Sequence, residues 1–197
     1  MSRDTEPCAI GFVGDSDSGK TTLLEQLLPV LAEQAMAVAI VKHASHGFDA
    51  DRPGKDSHRL YTSGAQAVSV ISDTQIATFE RRDADHSASL EEALATLPDG
   101  LDLVLVEGFA WEPIPRLVLV PPDCTPRTEH RDCGPVLRVI RVPASAPGEK
   151  PIFSNDLVHS IATQLLAWLQ RHAISDRVRR EPFAMSGLRR ARLPSTG

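Results

Sequence analysis

Short apolar runs alternate with longer segments of helical periodicity along most of the chain. Residues 8–13 (CAIGFV) form an apolar run typical of a buried strand. From Thr22 onward leucines recur at helical spacing, which puts Leu23, Leu27 and Leu31 on one face of a predicted helix. A strand, a glycine-bearing turn and a helix therefore follow one another in this part of the chain.

The same alternation predicts the remaining elements. Further strands are expected at 37–41, 67–71, 75–79 (short, at a sheet edge), 101–106, 116–120 and 136–142. Further helices are expected at 55–62, 89–97 and 155–172, the second with a capping box of Ser89 and Glu92. Strands alternating with helices indicate a three-layer α/β fold, with a mostly parallel sheet and helices on both faces. Residues 1–175 are expected to form a single domain.

The turn after the first strand matches the phosphate-loop pattern G-x-x-x-x-G-K-[ST] at every fixed position. In such a loop, backbone N–H groups and the positive end of the following helix face the phosphate oxygens. The alternative, a glycine turn that binds nothing, is disfavoured by four matched positions between a strand and a helix. The chain is therefore predicted to have a P-loop NTPase fold, with these nucleotide-binding residues: Gly14, Asp15, Ser16, Asp17, Ser18, Gly19, Lys20, Thr21 and Thr22.

Three side chains are expected to carry the chemistry of this site. Lys20 would reach the β- and γ-phosphates, and the Thr21 hydroxyl would bind Mg²⁺. Glu107 ends the apolar strand 101–106, where an acid can hold the metal or position a water. Lys20 and Glu107 are thus the predicted catalytic residues, and Thr21 and Glu107 the predicted metal ligands. The competing interpretation of Glu107 is a solvated loop carboxylate.

A second polar segment, residues 42–57, follows the second predicted strand. It contains two histidines, three aspartates and two lysines. From its chemistry alone it could be a metal site, a second substrate site, a switch loop or a merely hydrophilic loop.

Composition limits the other possibilities. The net charge is −5, and no apolar run approaches the roughly 20 residues of a membrane span. The first residues lack the layout of a signal peptide, so the cytoplasm is the expected location. Residues 176–197 contain six arginines and two acidic residues, and this tail is expected to be disordered. Nucleic acid is not an expected partner, since the rest of the chain is acidic.

The sequence resembles the MobB family of molybdopterin-guanine dinucleotide biosynthesis proteins. The resemblance spans roughly residues 8–120, and its most discriminating part combines FDADRPGKDS at 48–57 with VEGF at 106–109. Other matching segments are KTTL at 20–23, VKH at 41–43, GA at 64–65, DLVL at 102–105 and PIPR at 113–116. The chain departs from the family pattern at Ala110, where a lysine is common, and at Ala44 and Ser45, which thin out a histidine-rich run.

This resemblance implies a GTP-binding accessory protein with weak, Mg²⁺-dependent GTPase activity. It further implies a homodimer, which would act beside a MobA-like guanylyltransferase that attaches GMP to molybdopterin. In that picture the 42–57 segment lies near the nucleotide and the cofactor or partner surface. Its predicted contributors are Asp49, Asp51, Lys55 and Asp56.

Two other functions stay open from the sequence. One is an ATP-dependent small-molecule kinase or ligase of the dethiobiotin-synthetase-like class, with the acidic 49–56 segment as acceptor site. The other is an RNA-associated NTPase with a basic tail. No Asn-Lys-x-Asp motif for guanine occurs, so the preference for GTP rests on the resemblance. Candidate arginines for hydrolysis are Arg52, Arg59 and Arg116.

Overall fold

The computed structural model describes residues 8–45, 47–49, 51–82, 87, 89–146 and 148–179. Its strands are β1 (Cys8–Val13), β2 (Val38–Lys42), β3 (Ala67–Ile71), β4 (Ile76–Glu80), β5 (Leu103–Glu107), β6 (Arg116–Val120) and β7 (Val136–Arg141). Its helices are α1 (Lys20–Glu33), α2 (Asp56–Thr62), α3 (Leu90–Ala95), α4 (Thr128–Arg131) and α5 (Asn155–Arg179).

Five strands form a parallel sheet in the order β2-β5-β1-β6-β7. Every residue of β5 and β6 is buried. Parallel strands covered on both faces are expected to be continuously apolar, which explains why the run LVLV occurs in each of these two strands. The carboxyl ends of β1, β2 and β5 therefore meet at one edge of the sheet.

Alternate residues of β5 pack into different layers. Leu103 and Leu105 belong to the larger core, with leucines of α1 and with Ile161 and Leu165 of α5. Val104 and Val106 belong to a second core with Leu90, the first residue of α3. Helices thus cover both faces of the sheet, and the predicted three-layer α/β fold is confirmed.

Strands β3 and β4 do not join the main sheet. They form a separate antiparallel pair in which Ile71 lies opposite Ile76. Only a short link joins them, closed by a 2.8 Å hydrogen bond from Ser72 N to Gln75 O, whereas a parallel crossover needs a dozen residues or more. The short strand predicted at 75–79 is therefore present, but it pairs with β3 and is not part of the main sheet. Most residues of this hairpin are exposed.

The other elements differ from expectation mainly at their ends. Ser89 caps α3 by accepting a hydrogen bond from Glu92 N, as the capping box predicts. Helix α5 continues past the predicted end at residue 172 to Arg179. Helix α4 is a single turn in a segment where no element was expected. Residues 180–197, most of the tail predicted to be disordered, lie outside the described residues.

Within the described part of the chain, no helix is both long and apolar enough to cross a membrane.

Candidate functional site

The predicted phosphate loop connects β1 to α1, and both of its glycines are required by the protein around it. At Gly14 a Cβ would lie 2.6 Å from the carbonyl oxygen of Leu119 in β6. Gly19 has a φ of 77°, and a Cβ there would lie 2.5 Å from Pro151. Side chains at either position would therefore displace the loop even without a ligand. Asp17 also has a positive φ, 58°, so the loop backbone is strongly curved.

The segment before α5 packs against this loop and is tied to α1. The Gln26 side chain donates to Phe153 O at 3.1 Å and accepts from Phe153 N at 3.2 Å. Phe153 is buried and close to Gly19. The loop is thus held between β6 on one side and residues 151–153 on the other.

The Lys20 side chain turns back onto the loop. Its ammonium donates to Gly14 O at 3.1 Å, to Asp15 O at 2.5 Å and to Ser18 Oγ at 3.4 Å. Burial lowers the pKa of Lys20, while the nearby carboxylates of Glu107 and Asp15 oppose that shift. A partly desolvated cation on this loop is suited to bind an anion such as phosphate.

Thr21 and Glu107, 86 positions apart in the chain, are in direct contact. The Thr21 hydroxyl donates a 2.7 Å hydrogen bond to Glu107 Oε1. Sheet register produces this meeting, since Glu107 is paired with Phe12 of β1 and with Lys42 of β2. The Glu107 side chain is only 9% exposed, so a solvated loop carboxylate is not what the structure contains.

The chain turns sharply directly after Glu107. Gly108 has a φ of 90°, and a Cβ there would meet His43 Cβ at 2.9 Å. Gly108 N donates to Phe12 O at 3.3 Å, and His43 N donates to Glu107 O at 2.9 Å. These bonds fix the Glu107 backbone to both neighbouring strands, and the glycine after it lets the chain leave the sheet.

The donor set fits a magnesium ion bound together with a nucleotide. Mg²⁺ prefers hard oxygen ligands and is commonly held by one or two protein groups plus phosphate and water. The Thr21 hydroxyl and the Glu107 carboxylate are such groups, and they already lie within hydrogen-bond distance of each other. These two residues could hold the cation, while the Lys20 ammonium and the loop N–H groups face the phosphates.

Lys42, which was not among the predicted site residues, contacts both of these oxygens. Its ammonium lies 3.1 Å from Glu107 Oε1 and 3.2 Å from Thr21 Oγ1. The sequence places Lys42 at the start of the polar 42–57 segment and within the VKH match at 41–43, but it does not indicate a contact with Glu107. The fold therefore brings Lys42, Thr21 and Glu107 together, although they are far apart in the sequence.

The remaining predicted residues are placed as follows. Ser16 and Asp17 are exposed, Ser18 is buried, and Thr22 is half-buried. Asp51 accepts hydrogen bonds from Ser57 Oγ and Arg52 N, and these bonds lower its pKa, the Ser57 bond most. Asp56 pairs with Arg59, and Asp49 and Lys55 are exposed. In the described residues, the hydrogen bonds and ion pairs of Asp51, Lys55 and Asp56 stay within the 51–59 segment and do not reach the phosphate loop.

Of the candidate arginines, Arg116 is fully buried and serves a structural role. Its guanidinium donates to Ala110 O at 2.7 Å, to Ile114 O at 3.3 Å and to Glu112 O. Burial is the main cause that lowers its pKa. With its donors on these carbonyls, Arg116 holds the loop after Glu107 and is not available to a phosphate. Arg52 and Arg59 lie in the exposed segment described above.

The loop that Arg116 holds carries part of an aromatic cluster. The His43 ring lies 5.0 Å from those of both Phe109 and Trp111, and Phe109 and Trp111 are 5.5 Å apart. Phe109 is buried, whereas Trp111 is 53% exposed. This cluster sits directly beside the ends of β2 and β5, and its surface is therefore adjacent to Lys42 and Glu107.

The segment after β6 brings two further residues to the phosphate loop. Arg127 Nε lies 2.9 Å from Asp15 Oδ1. His130 is buried and lines a small cleft together with Asp15, Pro121 and Arg127. In the sequence, His130 is marked only by the flanking Cys124 and Cys133, a spacing that matches no common zinc pattern and favours a plain loop. Arg127 is not marked by any pattern, because it lies in an irregular segment far from the motif.

Comparison with known proteins identifies the family. The family model described as molybdopterin guanine dinucleotide synthesis protein B, MobB, matches residues 9–142. The chain belongs to the MobB family. The predicted family is thereby confirmed.

Individual MobB relatives support the same assignment over most of the chain. The adapter protein of molybdopterin-guanine dinucleotide biosynthesis from Escherichia coli K12 is 31% identical over 165 residues, covering 82% of this chain and 93% of that protein. The Haemophilus influenzae adapter protein is 40% identical over 111 residues, covering 56% of this chain and 61% of that protein.

Solved MobB structures share the fold. A crystal structure of molybdopterin-guanine biosynthesis protein B has a TM-score of 0.58 at 32% identity, covering 82% of this chain and 99% of that one. The MobB homolog from Bacillus stearothermophilus has a TM-score of 0.55 at 26% identity, covering 83% and 98%.

The environment of His130 predicts a pH dependence of stability. Burial is the main cause that lowers the pKa of His130 below its ordinary value of 6.5; Asp15 and Glu129 oppose the shift, and Arg127 and Lys20 add to it. Below that value the unfolded chain takes up a proton more readily than the folded one, so stability falls as pH falls. The free energy of unfolding, measured in urea at about pH 7.5 and at about pH 5.5, should therefore fall less between these two pH values in His130→Gln than in the wild type.

The control is His159→Gln, since His159 is an exposed residue of α5. This control should keep the wild-type pH dependence. An equal loss of stability in wild type and His130→Gln would contradict the assignment.

Proposed function

We propose that this chain is a GTP-binding adapter of molybdopterin guanine dinucleotide biosynthesis that acts in the cytoplasm. The observation that carries the proposal is the 2.7 Å contact between the Thr21 hydroxyl of the phosphate loop and the buried Glu107 carboxylate. It occurs in a member of the MobB family, and the E. coli and H. influenzae relatives are named as adapter proteins of that biosynthesis.

In this proposal each part of the site has one task. Loop N–H groups and the N-terminus of α1 bind the phosphates, and Lys20 moves from the carbonyls of Gly14 and Asp15 to phosphate oxygens. Thr21 and Glu107 hold Mg²⁺, which when bound neutralises phosphate charge. Gly14 and Gly19 keep the loop backbone in the required shape.

Slow hydrolysis is part of the proposal. Fast GTPases place an arginine against the transferred phosphate. Here Arg116 is committed to backbone carbonyls, and Arg127 is paired with Asp15. A site with bound nucleotide and little transition-state stabilisation suits a protein that presents GTP or a cofactor to a partner, and a MobA-like guanylyltransferase acting on molybdopterin is the partner we propose.

Nucleotide binding can be tested by titration with fluorescent GTP and ATP in the presence of Mg²⁺. We expect the wild type to prefer GTP, and Lys20→Ala to weaken binding at least about tenfold, because a charge-assisted contact to phosphate is lost. The matched control is Lys150→Ala, which removes an exposed lysine paired with Glu25 and should retain the wild-type affinity.

The outcomes separate the alternatives. Preference for ATP with the same loss in Lys20→Ala would support the kinase or ligase function instead. Absence of nucleotide binding in the wild type would refute the proposal.

We further propose that the protein is a homodimer and that the β3–β4 hairpin contributes to its interface. Ile71 and Ile76 face each other across the hairpin and are 72% and 70% exposed. Exposed apolar side chains on a small two-stranded sheet are typical of a surface that a partner covers.

The dimer is tested by light scattering after size-exclusion chromatography. The double variant Ile71→Lys/Ile76→Lys should be monomeric at concentrations where the wild type is dimeric, because each interface would bury four unpaired charges. Ile152→Lys is the control, since Ile152 is 78% exposed but lies before α5. A dimer that persists in the double variant would exclude the hairpin, and a monomeric wild type would refute the dimer.

A further inference from the structure

The ammonium of Lys42 lies on the two oxygens that the proposed site offers to Mg²⁺. It is 3.1 Å from Glu107 Oε1 and 3.2 Å from Thr21 Oγ1. Both distances are typical of hydrogen-bonded or ion-paired groups. The carboxylate oxygen that accepts from Thr21 is the same oxygen that pairs with Lys42.

The backbone fixes this arrangement. Lys42 is the last residue of β2, and the parallel register sets it beside Glu107. The hydrogen bond from His43 N to Glu107 O continues the pairing of the two strands by one more residue. Lys42 is therefore placed by the sheet, as Glu107 is, and its contact with the acid does not depend on a loop.

The two partners differ in their freedom to move. The Glu107 side chain is 9% exposed, whereas that of Lys42 is 53% exposed. Glu107 is also held by Thr21. If a second cation approaches these oxygens, Lys42 can swing into solvent on its flexible stem, but Glu107 has to stay.

We propose that Lys42 competes with Mg²⁺ for the oxygens of Thr21 and Glu107. The inference rests on the proposed nucleotide site and adds a residue that sets its magnesium requirement. A Mg²⁺ ion and the Lys42 ammonium at contact distance from the same carboxylate oxygen and hydroxyl would repel each other. Loading the metal-bound nucleotide then requires that the Lys42–Glu107 ion pair be broken.

Competition between Lys42 and Mg²⁺ predicts the direction in which the Mg²⁺ requirement changes when Lys42 is replaced. If Lys42 only obstructs the cation, removing its charge lowers the Mg²⁺ concentration needed for nucleotide binding. If Lys42 instead binds phosphate and supports the nucleotide, removing its charge weakens binding at every Mg²⁺ concentration. The two roles therefore predict opposite results for the same variant.

The experiment measures the affinity for fluorescent GDP at increasing Mg²⁺ concentrations for wild type and Lys42→Met. GDP avoids hydrolysis, so the readout is binding and not turnover. We expect the half-maximal Mg²⁺ concentration to fall about threefold to fivefold in the variant, the effect of losing one partly exposed ion pair. Thermal unfolding of the nucleotide-free variant checks that it is folded.

Two further variants make the result specific. Lys150→Met removes another lysine–glutamate pair, in which Lys150 Nζ lies 3.7 Å from Glu25, and should leave the Mg²⁺ requirement unchanged. In a Glu107→Gln background, Lys42→Met should no longer change the GDP affinity at any Mg²⁺ concentration, because the oxygen charge for which both cations compete is absent.

An unchanged or higher Mg²⁺ midpoint in Lys42→Met would overturn the inference while leaving the nucleotide site intact. A difference in GDP affinity between Glu107→Gln and the double variant would also overturn it, since Lys42 would then act elsewhere. Absence of GDP and GTP binding in the wild type would refute the proposed function, and the inference with it.

Discussion

The register of β5 between β1 and β2 is the constraint on which the site depends. Glu107 lies opposite Phe12 in one neighbour and Lys42 in the other. Because side chains alternate between the two faces of a strand, a slip of one residue would turn the glutamate to the other face. The burial of β5 prevents such a slip, because a shifted strand would place its leucines and valines in the wrong layers of the core. Core packing thus places the acid against Thr21.

The glycines show a second way in which packing sets up the site. In the sequence, Gly14 and Gly19 indicate a loop that a phosphate can approach. In the structure both positions are also required by contacts within the protein, with Leu119 O at Gly14 and Pro151 at Gly19. The curvature that a ligand would need is therefore built into the folded protein. This is preorganisation, and it reduces the ordering cost of binding.

Sequence reasoning predicted what local pattern and topology determine. Apolar runs revealed the five strands of the sheet, and the rule that ligands gather at strand carboxyl ends brought Glu107 to the phosphate loop. The sequence did not predict individual contacts between side chains. The positions of the arginines in the sequence did not predict that Arg116 is buried among carbonyls or that Arg127 pairs with Asp15. Both contacts depend on how irregular segments pack. The separation of the β3–β4 hairpin was missed because its alternation resembles that of any strand.

The proposed magnesium site is tested most directly by the Mg²⁺ dependence of fluorescent GTP binding in Glu107→Gln, compared with Asp102→Asn. Asp102 immediately precedes the first residue of β5, at the end of the strand opposite Glu107. Its carboxylate accepts a 2.9 Å hydrogen bond from Ala37 N. We expect that Mg²⁺ no longer strengthens GTP binding in Glu107→Gln but still does so in Asp102→Asn. A normal Mg²⁺ effect in Glu107→Gln would contradict the assignment of the site.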